Sequence, residues 1–284
     1  MTLYLGSHMS VSKGLLHAAK ETHKMGCNAF QIFAKSPQST RYKCKFKDDE
    51  IEKVNEFLDE HTIEIVCHSS YMLNFAKPPS EIQWAIDSLV EDMKIMEKLD
   101  GIGCVIHMGK QCKMPSEDEC LENKIKGLTA ALDASPEKVK LILETAAGQG
   151  SELCVSIEKL GKLYHMFPEE YKKRIGFCVD TCHIFAAGYD CRTEDTVNEF
   201  LELWDKEIGT EHIVLIHMND SKDVCGAKKD RHESISAGQI GNRDLSGFKR
   251  WIRFAKENEI PVILETPGTI DKKDEVEMIK SWNV

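Results

Sequence analysis

Six apolar runs in this chain stop abruptly on a side chain that can bind a metal, and they do so at nearly regular intervals. Ile65-Val66-Cys67 ends on His68, Cys104-Val105-Ile106 on His107, and Leu141-Ile142-Leu143 on Glu144. Ile175-Gly176-Phe177-Cys178-Val179 ends on Asp180, Ile213-Val214-Leu215-Ile216 on His217, and Val262-Ile263-Leu264 on Glu265. The intervals between the terminal residues are 39, 37, 36, 37 and 48. Short apolar runs bounded by polar residues read as buried strands. The residues one and two before each terminus are apolar, so both faces of each strand are covered, as in a parallel sheet flanked by helices.

Between the runs the apolar period changes from two to 3.6. The spacing predicts helices over 10–25, with Ser10 or Ser12 as N-cap and Gly26 as stop, and over 48–60, 80–99 and 116–132. Further helices are expected over 156–165, 193–208, 244–257 and 272–282. Two more strands, Thr2–Gly6 and Ala29–Phe33, precede the first polar-ended run. Eight strands alternating with eight helices predict a single (β/α)8 TIM barrel spanning residues 1–284. An open doubly wound sheet is the alternative, but eight similar units show no switch point. The long interval carries its excess in 219–242, where Asp230-Arg231-His232 lies in a polar loop. An insertion after a barrel strand falls on the C-terminal face, where barrel active sites are built.

Composition changes the picture little. The formal charge is 37 − 47 = −10, which at face value disfavours a polyanionic partner. Four of those acids are candidate ligands, and three divalent ions would bring the net charge to about −4, concentrating positive charge at one face. Eleven cysteines, odd in number and irregular in spacing, read as small buried hydrophobes rather than a disulfide framework. No run approaches the roughly 18 apolar residues of a membrane helix. The N-terminus lacks a basic segment followed by an apolar one, so an intracellular, cytoplasmic or nuclear location is expected.

Buried acids and imidazoles are costly unless paired or bound to an ion. The candidate ligands are His68, His107, Glu144, Asp180, His183, His217, Asp230, His232 and Glu265. Five imidazoles and four carboxylates with no required thiolate suit Zn²⁺, Mn²⁺ or Fe²⁺ in a catalytic site. Nine ligands are too many for one ion and enough for two or three, with Glu144 placed to bridge. His17, His23, His61, His165 and His212 fall on helices or their flanks and read as solvated. His8 is either a partner to a ligand or a plain loop residue. Clustered ions fit in-line displacement at phosphorus, which needs neither a covalent nucleophile nor a phosphate-cradling loop.

Cys67–Asn74, Glu144–Gly150, Val179–Asp190, His217–Lys222 and Asp230–His232 together resemble the endonuclease IV family of apurinic/apyrimidinic endonucleases, in order and over essentially the whole chain. The resemblance implies three zinc ions. His68, His107 and Glu144 would hold one; Glu144, Asp180, His217 and Glu265 the second; His183, Asp230 and His232 the third. It implies hydrolysis of the phosphodiester 5′ to an abasic site in duplex DNA, leaving a 3′-hydroxyl and a 5′-deoxyribose phosphate, with trimming of blocked 3′ ends. Glu265 and Glu144 would position the attacking hydroxide. An abasic nucleotide lacks stacking, so extruding it costs less than flipping a normal one. No membrane or obligate protein partner is implied, and a monomer is expected.

One departure concerns the loop after the second strand. Gln38 stands where the family commonly places an Arg that enters the DNA stack, with Arg41 as a substitute, while Tyr71 remains as a minor-groove wedge or a packed loop aromatic. Three rival readings are a metal-dependent sugar isomerase of similar barrel fold, a catalytically idle metal-stabilised DNA-binding protein, and an ultraviolet-damage endonuclease. The isomerase leaves Asp230 and His232 without a role.

Overall fold

The apolar runs become strands because their alternate side chains meet two dry surfaces. The computed structural model describes residues 1–38 and 46–284. Its strands are β1 (Leu5–His8), β2 (Ala29–Ile32), β3 (Glu64–His68), β4 (Gly103–Ile106), β5 (Lys140–Glu144), β6 (Ile175–Asp180), β7 (Ile213–His217), β8 (Asp220–Ser221), β9 (His232–Glu233) and β10 (Val262–Leu264). All but β8 and β9 close into one parallel barrel, in the order β1-β10-β7-β6-β5-β4-β3-β2. The expected TIM barrel is the fold of this chain.

Inside the barrel, Ala29, Val66, Val105, Ile142, Cys178, Leu215 and Ile263 form a core of their own. Their neighbours Ile65, Cys67, Leu141, Leu143, Phe177, Val179, Ile216 and Leu264 face the helices and join the larger outer core. From β1 the interior position is Gly6, where a Cβ would sit 1.5 Å from the Ala29 carbonyl oxygen, so no other residue fits. Side chains alternate along a strand. Two residues beyond this inner layer, each strand therefore turns a second side chain into the same space: His8, Gln31, His68, His107, Glu144, Asp180, His217 and Glu265. An apolar floor thus carries a polar ceiling at the C-terminal end.

The helices are α1 (Leu15–Lys24), α2 (Asp48–His61), α3 (Gln83–Lys98), α4 (Glu117–Asp133), α5 (Ile157–Met166), α6 (Glu169–Lys172), α7 (Thr181–Ala187), α8 (Glu194–Glu207), α9 (Ser246–Glu257) and α10 (Lys272–Lys280). Ser116, Ser156 and Thr193 cap α4, α5 and α8 through their hydroxyls.

Several boundaries differ from the sequence pattern. The first strand lies at Leu5–His8 rather than 2–6, because the Asn28 side chain takes up the Leu3 carbonyl and the Leu5 N–H at its start. Helix α1 begins five residues late: Ser10 and Ser12 bond each other, and Gly14 at φ +99° makes the turn into the helix. Pro79–Glu81 forms a separate 3-10 turn before α3, and Asp244 sits outside α9, accepting from Ser246. Helices α6 and α7 and the β8–β9 hairpin are additions to the expected eight units. Of the described cysteines, eight are buried, Cys112 is exposed and Cys225 half-buried, which fits their reading as small hydrophobes. No helix among the described residues is long and apolar enough to cross a membrane.

Candidate metal centre

The polar ceiling, together with His183 on α7 and Asp230 and His232 on the β8–β9 hairpin, brings the nine candidate ligands together in three overlapping groups. In the first, His68 Nε2 and His107 Nε2 lie 3.4 and 3.2 Å from Glu144 Oε2. In the second, His217 Nδ1 lies 2.9 Å from Glu144 Oε1, 3.3 Å from Glu265 Oε2 and 3.9 Å from Asp180 Oδ2. In the third, Asp230 Oδ1 lies 3.2 Å from His183 Nε2 and 3.0 Å from His232 Nε2, which is itself 3.6 Å from Asp180 Oδ2. Within each group the possible ligand atoms fall inside 4.8 Å of one another. Glu144 joins the first two groups, and Asp180 links the second to the third.

Neighbouring groups fix which nitrogen faces inward. His68 Nδ1 donates to the Ser69 carbonyl at 2.7 Å, and His183 Nδ1 to the Thr145 carbonyl at 2.8 Å. Each ring therefore presents Nε2 to the centre, the usual orientation for metal-binding imidazole. Asp180 ends β6 and caps α7: its Oδ1 accepts from His183 N at 2.9 Å, and its Oδ2 from Asn219 Nδ2 at 2.7 Å. Asn219 Oδ1 in turn accepts from Glu265 N at 2.8 Å, so one amide ties β6, β7 and β10 at the site.

The last two candidate ligands are carried by the β8–β9 hairpin, Asp230 near the end of its loop and His232 at the start of β9. Asp220, fully buried in β8, ties the hairpin to the segment after β9 by accepting from the backbone N–H groups of Ser221, Ser236, Gly238, Ile240 and Gly241. Glu275 on α10 accepts from Ile235 N and Thr266 Oγ1. Gln149 Oε1 accepts from Asp230 N at 3.2 Å. None of these four polar side chains (Asn219, Asp220, Glu275, Gln149) was among the candidates read from the sequence. Asn219 and Asp220 sit inside the His217–Lys222 segment, which was the available signal.

Electrostatics gives the cluster its character. Burial alone would push the Glu144 carboxyl up, but His107 and His217 hold it well below the usual carboxylate range. Burial likewise opposes the charged forms of Asp230 and His232, yet Asp230 is held far down by His183 and His232, and His232 is lifted to about 9 by Asp180 and Asp230. Buried as they are, Glu144 Oε2, His183 Nε2 and His232 Nε2 have no hydrogen-bond partner. Converging, buried ligand atoms without hydrogen bonds, set among four carboxylates, fit cations between them. Oxygen and imidazole donors fit Zn²⁺ or a similar divalent ion. Cys178 and Cys182 lie beside these groups, but burial pushes each thiol up to about 12, which disfavours the thiolate a ligand requires.

A cavity of about 440 Å³ opens onto this cluster, lined by His107, Glu144, His183, Asp230, His232, Glu265 and, at its mouth, Tyr71. Tyr71 is 51% exposed, while its ring makes edge contacts with Phe33, His68 and His107. It is both a packed aromatic and a projecting one. Gln38 lies exposed in the turn after β2, and Arg41 lies outside the described residues. His8 is the partner of a candidate ligand rather than a loop residue, 3.7 Å from Glu265.

Comparison with known proteins places this arrangement. Residues 19–282 match a family model described as a xylose isomerase-like TIM barrel. A putative endonuclease 4 of Acanthamoeba polyphaga mimivirus is 36% identical, over 99% of this chain and 94% of the relative. A probable endonuclease 4 of Thermosipho melanesiensis is also 36% identical, over 93% of this chain and 92% of its own. Among solved structures, endonuclease IV from Thermus thermophilus superimposes with a TM-score of 0.84 at 27% identity, covering 99% of this chain and 98% of that one.

Proposed function

This chain belongs to the endonuclease IV family and is a hydrolase of the nuclease type, and from that premise we propose that it incises duplex DNA 5′ to abasic sites as one barrel domain. Cleaning of blocked 3′ ends belongs to the same reading. The observation that carries it is the triple cluster: nine side chains, three groups, and two carboxylates that join them.

His68, His107 and Glu144 would hold one zinc ion, Glu144, Asp180, His217 and Glu265 a second, and His183, Asp230 and His232 a third. Bound ions would supply charge neutralisation at the phosphate and activation of water. The protein's own part is placement. Glu144 and Glu265 face the cavity and hold the attacking water in line with the scissile bond, accepting its proton. The new bond forms between water oxygen and phosphorus. The bond from phosphorus to the upstream 3′ oxygen breaks, and that oxygen leaves as a 3′-hydroxyl by taking up the proton released from the attacking water. Tyr71, projecting at the mouth, would enter the minor groove beside the lesion, and Gln38, with Arg41 three residues on in sequence, would contact the duplex there. Lys110 on the cavity wall offers local positive charge within a chain of net −10.

The test is incision of an end-labelled duplex carrying a single tetrahydrofuran abasic analogue, which cannot undergo β-elimination. Cutting on the 5′ side, lost on chelation and restored by zinc, supports the reading. A fully metallated protein that leaves this duplex intact refutes it and turns attention to a sugar substrate or an idle binder.

A further inference from the structure

Of the eight side chains in the polar ceiling, six are candidate ligands. The other two are His8 from β1 and Gln31 from β2. Gln31 is fully buried, and every polar atom of its amide is aimed at the centre. Its Nε2 donates to Glu265 Oε1 at 2.6 Å and toward His8 Nδ1 at 3.0 Å. Its Oε1 lies 2.8 Å from His217 Nε2.

The chemistry of these partners leaves one arrangement. An ionised carboxylate accepts and cannot donate, so the amide nitrogen must face Glu265 and the amide oxygen His217. An amide oxygen also accepts and cannot donate, so His217 Nε2 carries the proton. His217 Nδ1 is then the nitrogen that remains for an ion. It is also the one that faces Glu144, Glu265 and Asp180. The same amide fixes one oxygen of Glu265 and turns the other toward His217. β2 gives no ligand of its own, yet it reaches across the seam where β1 pairs with β10 to set two ligands from the last strands.

We infer that Gln31 is a positioning residue for the ion shared by His217 and Glu265, an inference that rests on the metal-centre reading above. It selects the tautomer of His217 and the rotamer of Glu265. Partners of this kind are worth about 10–100-fold in metal affinity or activity.

The experiment compares wild type with Gln31→Met, which fills similar volume without either hydrogen bond, and with Gln31→Ala, which leaves room for a water. Zinc affinity is measured ion by ion, by competition with a chromophoric chelator. Thermal unfolding is followed for each protein with and without zinc. In Gln31→Met one ion is expected to be released about 10–100-fold more readily while the others keep their affinity. The chelated protein should unfold no earlier than chelated wild type, and the rise in unfolding temperature on adding zinc should shrink. Gln31→Ala should fall between the two, and it carries the test alone if the Met variant does not fold.

Zinc affinities within two-fold of wild type in both variants would overturn the inference while leaving the metal centre intact. A variant whose chelated form is destabilised as much as its zinc form would overturn it too, since the amide would then be a fold element alone. A wild type that takes up no zinc would overturn the centre itself.

Discussion

At the scale of single residues, a candidate ligand was legible wherever it broke an apolar run. Glu144 and His217 each follow three or four apolar residues, and the change in polarity is abrupt. Gln31 was not legible, because Ile32 and Phe33 continue the run past it and an amide inside a strand reads as a chance polar residue. The period-two rule would have found it: Ala29 occupies the inner layer, and Gln31 is two residues on. Glu265 offers the sharpest test at this scale. Its carboxylate accepts from Gln31 and lies 3.3 Å from His217 Nδ1. Glu265→Gln keeps the shape and removes the charge, so thermal unfolding of the chelated protein should change little while kcat on abasic duplex falls about 10²–10³-fold. Turnover near that of wild type would remove Glu265 from the mechanism.

At the scale of elements, strands were read more reliably than helix starts. A strand that is apolar on both faces announces itself, whereas a helix N-terminus depends on cap geometry, as Gly14 and the idle Ser10 and Ser12 illustrate. Helix α7 escaped notice because it follows β6 with no loop and Asp180 serves both as strand end and as cap. The β8–β9 hairpin escaped because its order comes from one carboxylate in β8 that bonds backbone 16–21 residues further on, rather than from a local pattern. Asp220 satisfies five backbone donors in β8 and in the segment after β9, and so braces the hairpin that carries Asp230 and His232. Asp220→Ala leaves those buried N–H groups unpaired and should cost about 3 kcal/mol or more of stability. The loss should extend to the ion held by Asp230 and His232, read as reduced zinc content after gel filtration. Unchanged stability with full zinc content would show that the loop is held by other means.

At the scale of the whole molecule, barrel and site are separable, because the apolar floor and outer core hold the fold below the polar ceiling. The outer core also contains one misfit that bears on stability and not on chemistry. Lys124 on α4 is fully buried, its ammonium has no hydrogen-bond partner, and burial lowers its pKa to about 8. The unfolded chain binds that proton up to about pH 10.4. Between these two values the unfolded state holds more protons than the native one, so this lysine lets stability rise with pH. Lys124→Met should therefore raise stability at pH 7 by ~2 kcal/mol, with the advantage shrinking as pH climbs from about 8 toward 10. A gain independent of pH would contradict the assignment.

The central claim is that nine side chains build one three-ion centre. The most direct measurement is elemental analysis of zinc per chain, in wild type and in Asp230→Ala, each after metal loading and exhaustive dialysis. The expected result is three ions in wild type and two in the variant, with incision of abasic duplex falling together with the missing ion. Two ions or fewer in wild type, or an unchanged count in Asp230→Ala, would contradict the claim.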